Sequence, residues 1–354
     1  MKKVAIIGTV GIPAGYGGFE TLVHHLVQHL DNEFDFTVYC SAPAYKDKPA
    51  RFGRTKLEYI RLNANGAQSI PYDIVSMTSA VFSGHDILLV LGVSGALFLP
   101  FIRLFTNKKL IVHIDGLEWR RNKWNTFAKK FLKFSEYIGV KFGHKIIADN
   151  SEIRTYIEQE YQKDSCLIEY GADHIIQNLY PQKGSYAFSV CRIEPENNIH
   201  VILEAFSQSG QPIKFVGNWE KSAYGKALRE KYSAFDNIEL LAPIYDQEKL
   251  DLLRSNCKVY IHGHSAGGTN PSLVEAMYLG LPIFAFDVPY NRATTEDKCL
   301  YFEDAAALTK LLKEKSEGGS QVLNAIGCDM KEIAKRRYEW SIISESYRSV
   351  LEAV

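Results

Sequence analysis

Apolar and polar positions alternate along this chain in two rhythms. Short apolar runs occupy residues 4–7, 36–39, 87–91, 110–114 and 145–148, and a second series follows at 187–190, 213–216, 238–240, 259–261 and 283–286. The stretches between them have helical spacing; the one beginning near Asn198 puts Ile199, Ile202, Leu203 and Phe206 on one face. Strands buried on both sides read as continuous apolar runs, and their connecting helices read at a period of 3.6. The alternation therefore predicts an α/β protein with two parallel sheets. A polar segment, Tyr180-Pro181-Gln182-Lys183-Gly184, separates the two series, which predicts domains at 1–180 and 181–337. Residues 338–354 predict a final helix with Trp340, Ile343, Tyr347 and Leu351 on one side.

Length agrees with this division, because 354 residues exceed the roughly 250–300 that one core usually serves. The 41 basic and 41 acidic residues cancel, which argues against general nucleic-acid binding. Cysteines at 40, 166, 191, 257, 299 and 328 lack metal-ligand spacing and read as reduced thiols. With no Asp-x-Asp pair in a convincing strand-end loop, no metal is expected. Residues 87–102 are uncharged but interrupted by Gly92, Gly95 and Pro100, and they fall short of the roughly 20 needed to span a bilayer. The N-terminus shows no signal-peptide pattern, so a cytoplasmic protein is expected. Local charge adds one feature. Residues 119–145 hold eight Lys or Arg against one acid, Glu136, with aromatic residues interleaved. Such a stretch either docks on an anionic membrane or turns an aromatic stripe to the core behind a solvated lysine face.

The chemistry gathers at four strand ends. In residues 262–282, HGHSAGGTNPSLVEAMYLGLP, Gly267 and Gly268 permit close backbone approach, Thr269 and Asn270 offer donors and a cap, and Pro271 suits a first helical turn. A helix start of this kind attracts phosphate, and Glu275, one turn further in, could accept hydrogen bonds from a ribose diol. In residues 188–206 a strand ends at Cys191 and Arg192 follows it. Near the N-terminus, strand 4–7 runs into a glycine-rich loop and then a helix from about Phe19. The loop lacks the G-x-G-x-x-G spacing, which counts against an NAD-dependent oxidoreductase. Residues 108–125 place Asp115-Gly116 at the end of another strand, where open α/β sheets put their chemistry, although a turn or N-cap aspartate reads equally well.

All four of these segments carry a family resemblance, FSVCRIEPENNIHVILEAF through its arginine, Arg192. SLVEAMYLGLPIFAF resembles the nucleotide-binding helix and following strand of retaining glycosyltransferases of family 4, which have the GT-B fold. GIPAGYGGFET and DGLEWRR resemble bacterial rhamnosyltransferases of cell-surface polysaccharide assembly in the same family. The resemblance implies two Rossmann-like doubly wound domains facing across a cleft, with the C-terminal helix crossing back to the first. It implies donor contacts from Gly17, Gly18, Arg192, Tyr245, His264, Gly267, Gly268, Thr269, Asn270 and Glu275. Acceptor contacts are implied for Tyr16, Glu20 and Glu118, and catalytic roles for Asp115, Arg192 and Glu275. Two departures stand out: the family's first glutamate falls on Gly267, and its lysine five residues after the arginine falls on Asn197.

The function these features imply is transfer of a sugar with retention, most simply L-rhamnose from dTDP-L-rhamnose to a lipid-linked saccharide. No cofactor is expected, and residues 119–145 would hold the enzyme peripherally at the inner membrane. A UDP- or GDP-hexose donor, a nucleotide-sugar 2-epimerase and a non-catalytic sugar-binding protein are the competing readings.

Overall fold

Most of the apolar runs become inner strands of two separate sheets. The computed structural model describes residues 1–15, 17–121, 124–175, 184–316 and 320–354. It forms two units, Met1–Tyr170 with Trp340–Val354, and Gly171–Glu339. The division falls earlier than the expected 180/181, after the last strand of the first sheet. From there the chain already binds the second unit, where the Ala172 amide donates to the Tyr338 carbonyl at 2.7 Å. Residues 180–183 of the expected linker lie outside the described residues.

The first unit runs β1 (Lys3–Ile7), α1 (Gly18–Leu30), β2 (Asp35–Ser41), β3 (Arg51–Phe52), β4 (Thr55–Ile60), α2 (Ser69–Phe82), β5 (Ile87–Leu91), α3 (Leu99–Phe105), β6 (Lys109–Ile114), α4 (Thr126–Phe142), β7 (Lys145–Ala148), α5 (Ser151–Tyr161) and β8 (Cys166–Leu167). Among the described residues the strand order is β3-β4-β2-β1-β5-β6-β7-β8, parallel except for the β3–β4 hairpin. β3, β4 and β8 are absent from the apolar pattern because they lie towards the sheet's edges: β4 alternates with Lys56 and Glu58, and β8 is two residues long. β1 is central, and Val4, Ala5, Ile6 and Ile7 are fully buried. The order reverses between β1 and β5, so the glycine loop leaves the sheet at a topological switch point. Gly8 is needed there: its φ is 93°, and a Cβ would collide with the Leu91 carbonyl.

The second unit runs β9 (Ala187–Val190), α6 (Ile199–Ser209), β10 (Ile213–Val216), α7 (Ala223–Tyr232), β11 (Ile238–Leu241), α8 (Gln247–Ser255), β12 (Val259–His262), α9 (Pro271–Tyr278), β13 (Ile283–Phe286), α10 (Pro289–Thr295), β14 (Leu300–Phe302), α11 (Ala305–Ser316) and α12 (Ser320–Arg337). Its described strands lie in the order β11-β10-β9-β12-β13-β14. The chain builds outward from β9 to β11 and then returns to the other side of β9 with β12. The loops that leave β9 and β12 therefore flank the switch point, and they carry Arg192 and the glycine-rich segment. The predicted face of α6 is buried as expected, with Ile199, Ile202, Leu203 and Phe206 at the core.

The last helix, α13 (Trp340–Glu352), belongs to the first unit. Its apolar stripe packs on α1, with the Trp340 ring stacked 4.5 Å from His25. The Tyr347 hydroxyl meets His113 Nδ1 at 2.8 Å. Lys2 Nζ donates to the carbonyls of Leu351, Glu352 and Val354, closing the end of the chain onto its beginning.

Candidate functional site

The two loops at the second switch point are bonded into one platform. Asn198 Nδ2 donates to the Gly263 carbonyl at 3.0 Å, and the Ser265 amide and hydroxyl both donate to the Glu196 carbonyl, at 3.0 and 2.8 Å. A Cβ on Gly263 would strike the Asn197 carbonyl, so glycine allows the loops to touch. Asn197, at the position where the resemblance puts a lysine, is buried and donates to the Arg192 carbonyl at 2.7 Å. It shapes the turn that presents Arg192 and brings no charge. The Arg192 side chain is 48% exposed, with Glu194 at 3.9 Å.

The glycine-rich segment ends as its sequence implies. Asn270 caps α9, accepting from the Ser272 amide at 3.1 Å and the Ser272 hydroxyl at 2.8 Å, and Pro271 opens the helix. Gly267 has φ 124° and nothing close to where a Cβ would lie, so backbone angle and not crowding requires it. Thr269 is buried. The His264 ring stacks on His262 at 4.5 Å, and the His264 carbonyl accepts from Asn291 Nδ2 at 2.9 Å. Burial pushes the His262 pKa down to about 3, so that the ring beneath His264 is neutral.

Glu275 is held by residues the sequence reading did not single out. Its Oε2 lies 2.6 Å from Arg254 Nη1 and its Oε1 lies 3.3 Å from His174 Nε2. The Arg254 side chain is 1% exposed, and Asp251, also buried, lies 3.7 Å from it. Gln247 Nε2 donates to both Asp251 oxygens at 2.9 and 3.0 Å. Burial disfavours the Glu275 charge, but the Arg254 guanidinium, and after it His174, bring its pKa down to about 2. The available signal was the pair of charges three residues apart, Asp251 and Arg254, in a short helix next to a strand. Spacing alone does not reveal that the pair points inward.

The other expected site residues divide by unit. Tyr245 is 71% exposed, just before the Asp246 cap of α8. In the first unit Asp115 directly follows β6, and Gly116 turns the chain at φ 112°. Glu118 Oε1 accepts from Trp124 Nε1 at 3.1 Å, and its Oε2 pairs with Arg121 Nε at 2.7 Å. Glu20 is turned inward: its Oε1 accepts from the Thr9 hydroxyl at 2.9 Å and the Val10 amide at 2.7 Å, bracing the glycine loop. A Cβ on Gly17 would run into that carboxylate, and Gly18 starts α1. Tyr16 lies outside the described residues. Arg192, His264, the 267–270 backbone and the held Glu275 thus all belong to one unit, on or beside the two joined loops.

Residues 172–315 match the family model of glycosyl transferases group 1. The second unit is a glycosyltransferase group 1 domain. Residues 1–173 match a domain of unknown function, DUF1972. No curated protein matches the chain significantly. Among solved structures, sucrose-phosphate synthase from Thermosynechococcus elongatus superposes with a TM-score of 0.83 at 17% identity, over 100% of both chains. HepE from Anabaena gives 0.76 at 14% identity, also over 100% of both. A glycosyltransferase from Rickettsia africae gives 0.71 at 13% identity, over 99% of this chain and 97% of its own. At these identities the likeness shows the fold. This group 1 glycosyltransferase domain and its DUF1972 partner have the two Rossmann-like domains of GT-B glycosyltransferases.

Proposed function

We propose that the chain is a retaining glycosyltransferase of family 4 that moves L-rhamnose from dTDP-L-rhamnose to a lipid-linked saccharide, with no metal or other cofactor. The observation that carries the reading is the half-exposed Arg192 on a loop bonded to the glycine-rich start of α9, with an ionised Glu275 one turn further along. The diphosphate meets Arg192 and the 267–270 amides, Glu275 takes the sugar of the nucleoside, and the base lies towards Tyr245. As the bond from the anomeric carbon to the diphosphate breaks, Arg192 and the amides receive the growing negative charge. The acceptor hydroxyl joins the carbon on the face the diphosphate leaves and passes its proton to the departing phosphate oxygen, so configuration is retained. Asp115 and Glu118 of the first unit are assigned to sugar hydroxyls. The N-terminal resemblance favours rhamnose. The HepE structure, a complex with UDP-glucose, makes a UDP-hexose the alternative donor. A thermal-shift comparison of dTDP-rhamnose, UDP-glucose, UDP-N-acetylglucosamine, GDP-mannose and NAD tests this, since a ligand of the folded state raises Tm. Selective stabilisation by dTDP-rhamnose is expected. A shift with a UDP or GDP sugar alone replaces the donor, and no shift with any nucleotide favours a non-catalytic protein.

The same proposal places the enzyme on the inner face of the cell membrane. Phe127, Lys130, Phe134, Tyr137 and Lys141 share the outward face of α4, and Phe127 is 82% exposed. The inward face is made of Ser135, Glu136, Gly139 and Val140. The aromatic residues of this helix that face solvent are thus interleaved with its lysines, which a core-packed stripe would not produce. α3 lies beside α4 and exposes Phe101, Leu104 and Phe105. An open groove lined by Lys130, Lys133, Phe134 and Tyr137 of α4 and by Glu160, Tyr161 and Gln162 at the end of α5 runs along α4, with Glu160 paired to Lys133. No helix among the described residues is long and apolar enough to cross a membrane. Replacing Lys129, Lys130 and Lys141 with glutamine is expected to weaken binding to anionic vesicles about a hundredfold, at about 1 kcal/mol per lysine. Unchanged sedimentation with the vesicles would return α4 to an ordinary surface helix.

A further inference from the structure

We propose that Arg254 is the positioning residue that aims Glu275 at the sugar of the donor nucleoside. The inference rests on the assignment of Glu275 to that sugar and adds how the carboxylate is set. Arg254 lies in the last turn of α8, and its side chain is 1% exposed. A guanidinium buried to this extent is costly, and an apolar side chain of similar volume would often serve stability as well or better. What an apolar side chain could not do is hold Glu275 Oε2 at 2.6 Å. The guanidinium is itself braced from behind by Asp251 at 3.7 Å, whose two oxygens are tied down by Gln247. His174 holds the other oxygen of Glu275 at 3.3 Å.

Both carboxylate oxygens are thereby anchored from the protein side, and the plane of the group is set. Each oxygen has two acceptor sites, and among the described residues one basic side chain faces each oxygen, Arg254 as an ion pair and His174 across 3.3 Å, which leaves acceptor capacity for a ligand. A ribose offers two hydroxyl donors to the carboxylate, and a 2′-deoxyribose offers its 3′-hydroxyl. The side chain is 13% exposed, enough for those sites to be reached while the rest of the group stays covered. Without Arg254 the carboxylate loses its anchor on Oε2 and its orientation becomes a matter of rotamer choice.

The experiment compares dTDP and UDP, each against its 3′-deoxy analogue, by calorimetric titration of the full chain and of Arg254→Met, Arg254→Lys and Glu275→Gln. The natural chain is expected to prefer the hydroxylated nucleotide about tenfold or more, the worth of a hydrogen bond to a charged group. In Arg254→Met that preference should shrink to within about twofold, and Arg254→Lys should keep part of it. A structural role for Arg254 alone would lower Tm but leave the preference intact, and that result overturns the proposal. If Glu275→Gln also keeps the full preference, the assignment of Glu275 itself falls, which separates the two failures. Should Arg254→Met not fold, Asp251→Asn with Arg254→Met removes the stranded carboxylate and carries the same expectation.

Discussion

Replacing Arg192 with alanine is expected to lower kcat by about 10²–10³-fold while donor affinity changes far less. The side chain is half exposed on a loop braced by Asn197 and by the Ser265–Glu196 bonds, so it is held in place and can still meet a ligand. A preorganised cation contributes most where charge develops, and the diphosphate gains charge as the glycosidic bond breaks; removing one such donor typically costs about 2.7–4 kcal/mol in the transition state. Asn197 gives no second cation that could compensate, because its side chain is a neutral amide, engaged with the Arg192 carbonyl. Steady-state kinetics with titration of the unreactive nucleoside diphosphate separate the cases. Equal losses in turnover and binding would make Arg192 a docking residue and remove it from the chemical step.

Glu275→Ala should damage both affinity and stability. Loss of a charged partner for the nucleoside sugar weakens donor binding by about 1.5–3 kcal/mol. The same change strands Arg254, and breaking a buried ion pair costs about 3–5 kcal/mol of folding free energy. Arginine at 1% exposure has no solvent to turn to. Glutamine should fare better than alanine on stability, because it keeps a carbonyl oxygen facing Arg254. The ionised form is favoured by the fold, with a pKa of about 2 against an ordinary 4.5. A lowered carboxylate pKa gives stability that is complete above about pH 4.5 and is lost as pH falls towards 2. The advantage of glutamate over glutamine, of the order of 3 kcal/mol for such a shift, should therefore be constant above about pH 4.5 and fade progressively as pH falls from there towards 2. Urea midpoints of the two proteins across that range measure it. An advantage that fades already between pH 7 and 5 would show that Arg254 does not hold the carboxylate.

Much of the site was legible because its signals are local. Asn270-Pro271 specifies the start of α9 through a side-chain cap and a fixed φ, and the apolar spacing after Asn198 specifies the buried face of α6. Glu20 was less legible. It belongs to the glycine-loop motif, but its carboxylate turns back to Thr9 and Val10, a contact set by the loop's path rather than by any spacing. The surface character of α4 was also beyond the sequence, since an aromatic-and-lysine pattern fits either face of a helix until its neighbours are placed.

The amino-acid order by itself determined two parallel α/β units, the strand-end loops that bear Arg192 and Asp115, and the capped helix that bears Glu275. These follow from periodicity, caps and glycine angles, which act over a few residues. The tertiary structure alone decided that β9 and β12 are neighbours, which joins the Arg192 loop to the glycine-rich loop. It also brought Arg254 and His174 to the two oxygens of Glu275; the return of the last helix to the first unit, by contrast, was already implied by the family resemblance. The joined loops and the Glu275 partners depend on contacts between segments far apart in the chain. No local pattern encodes them, and they are settled only when the sheets choose their strand order and the buried charges find partners.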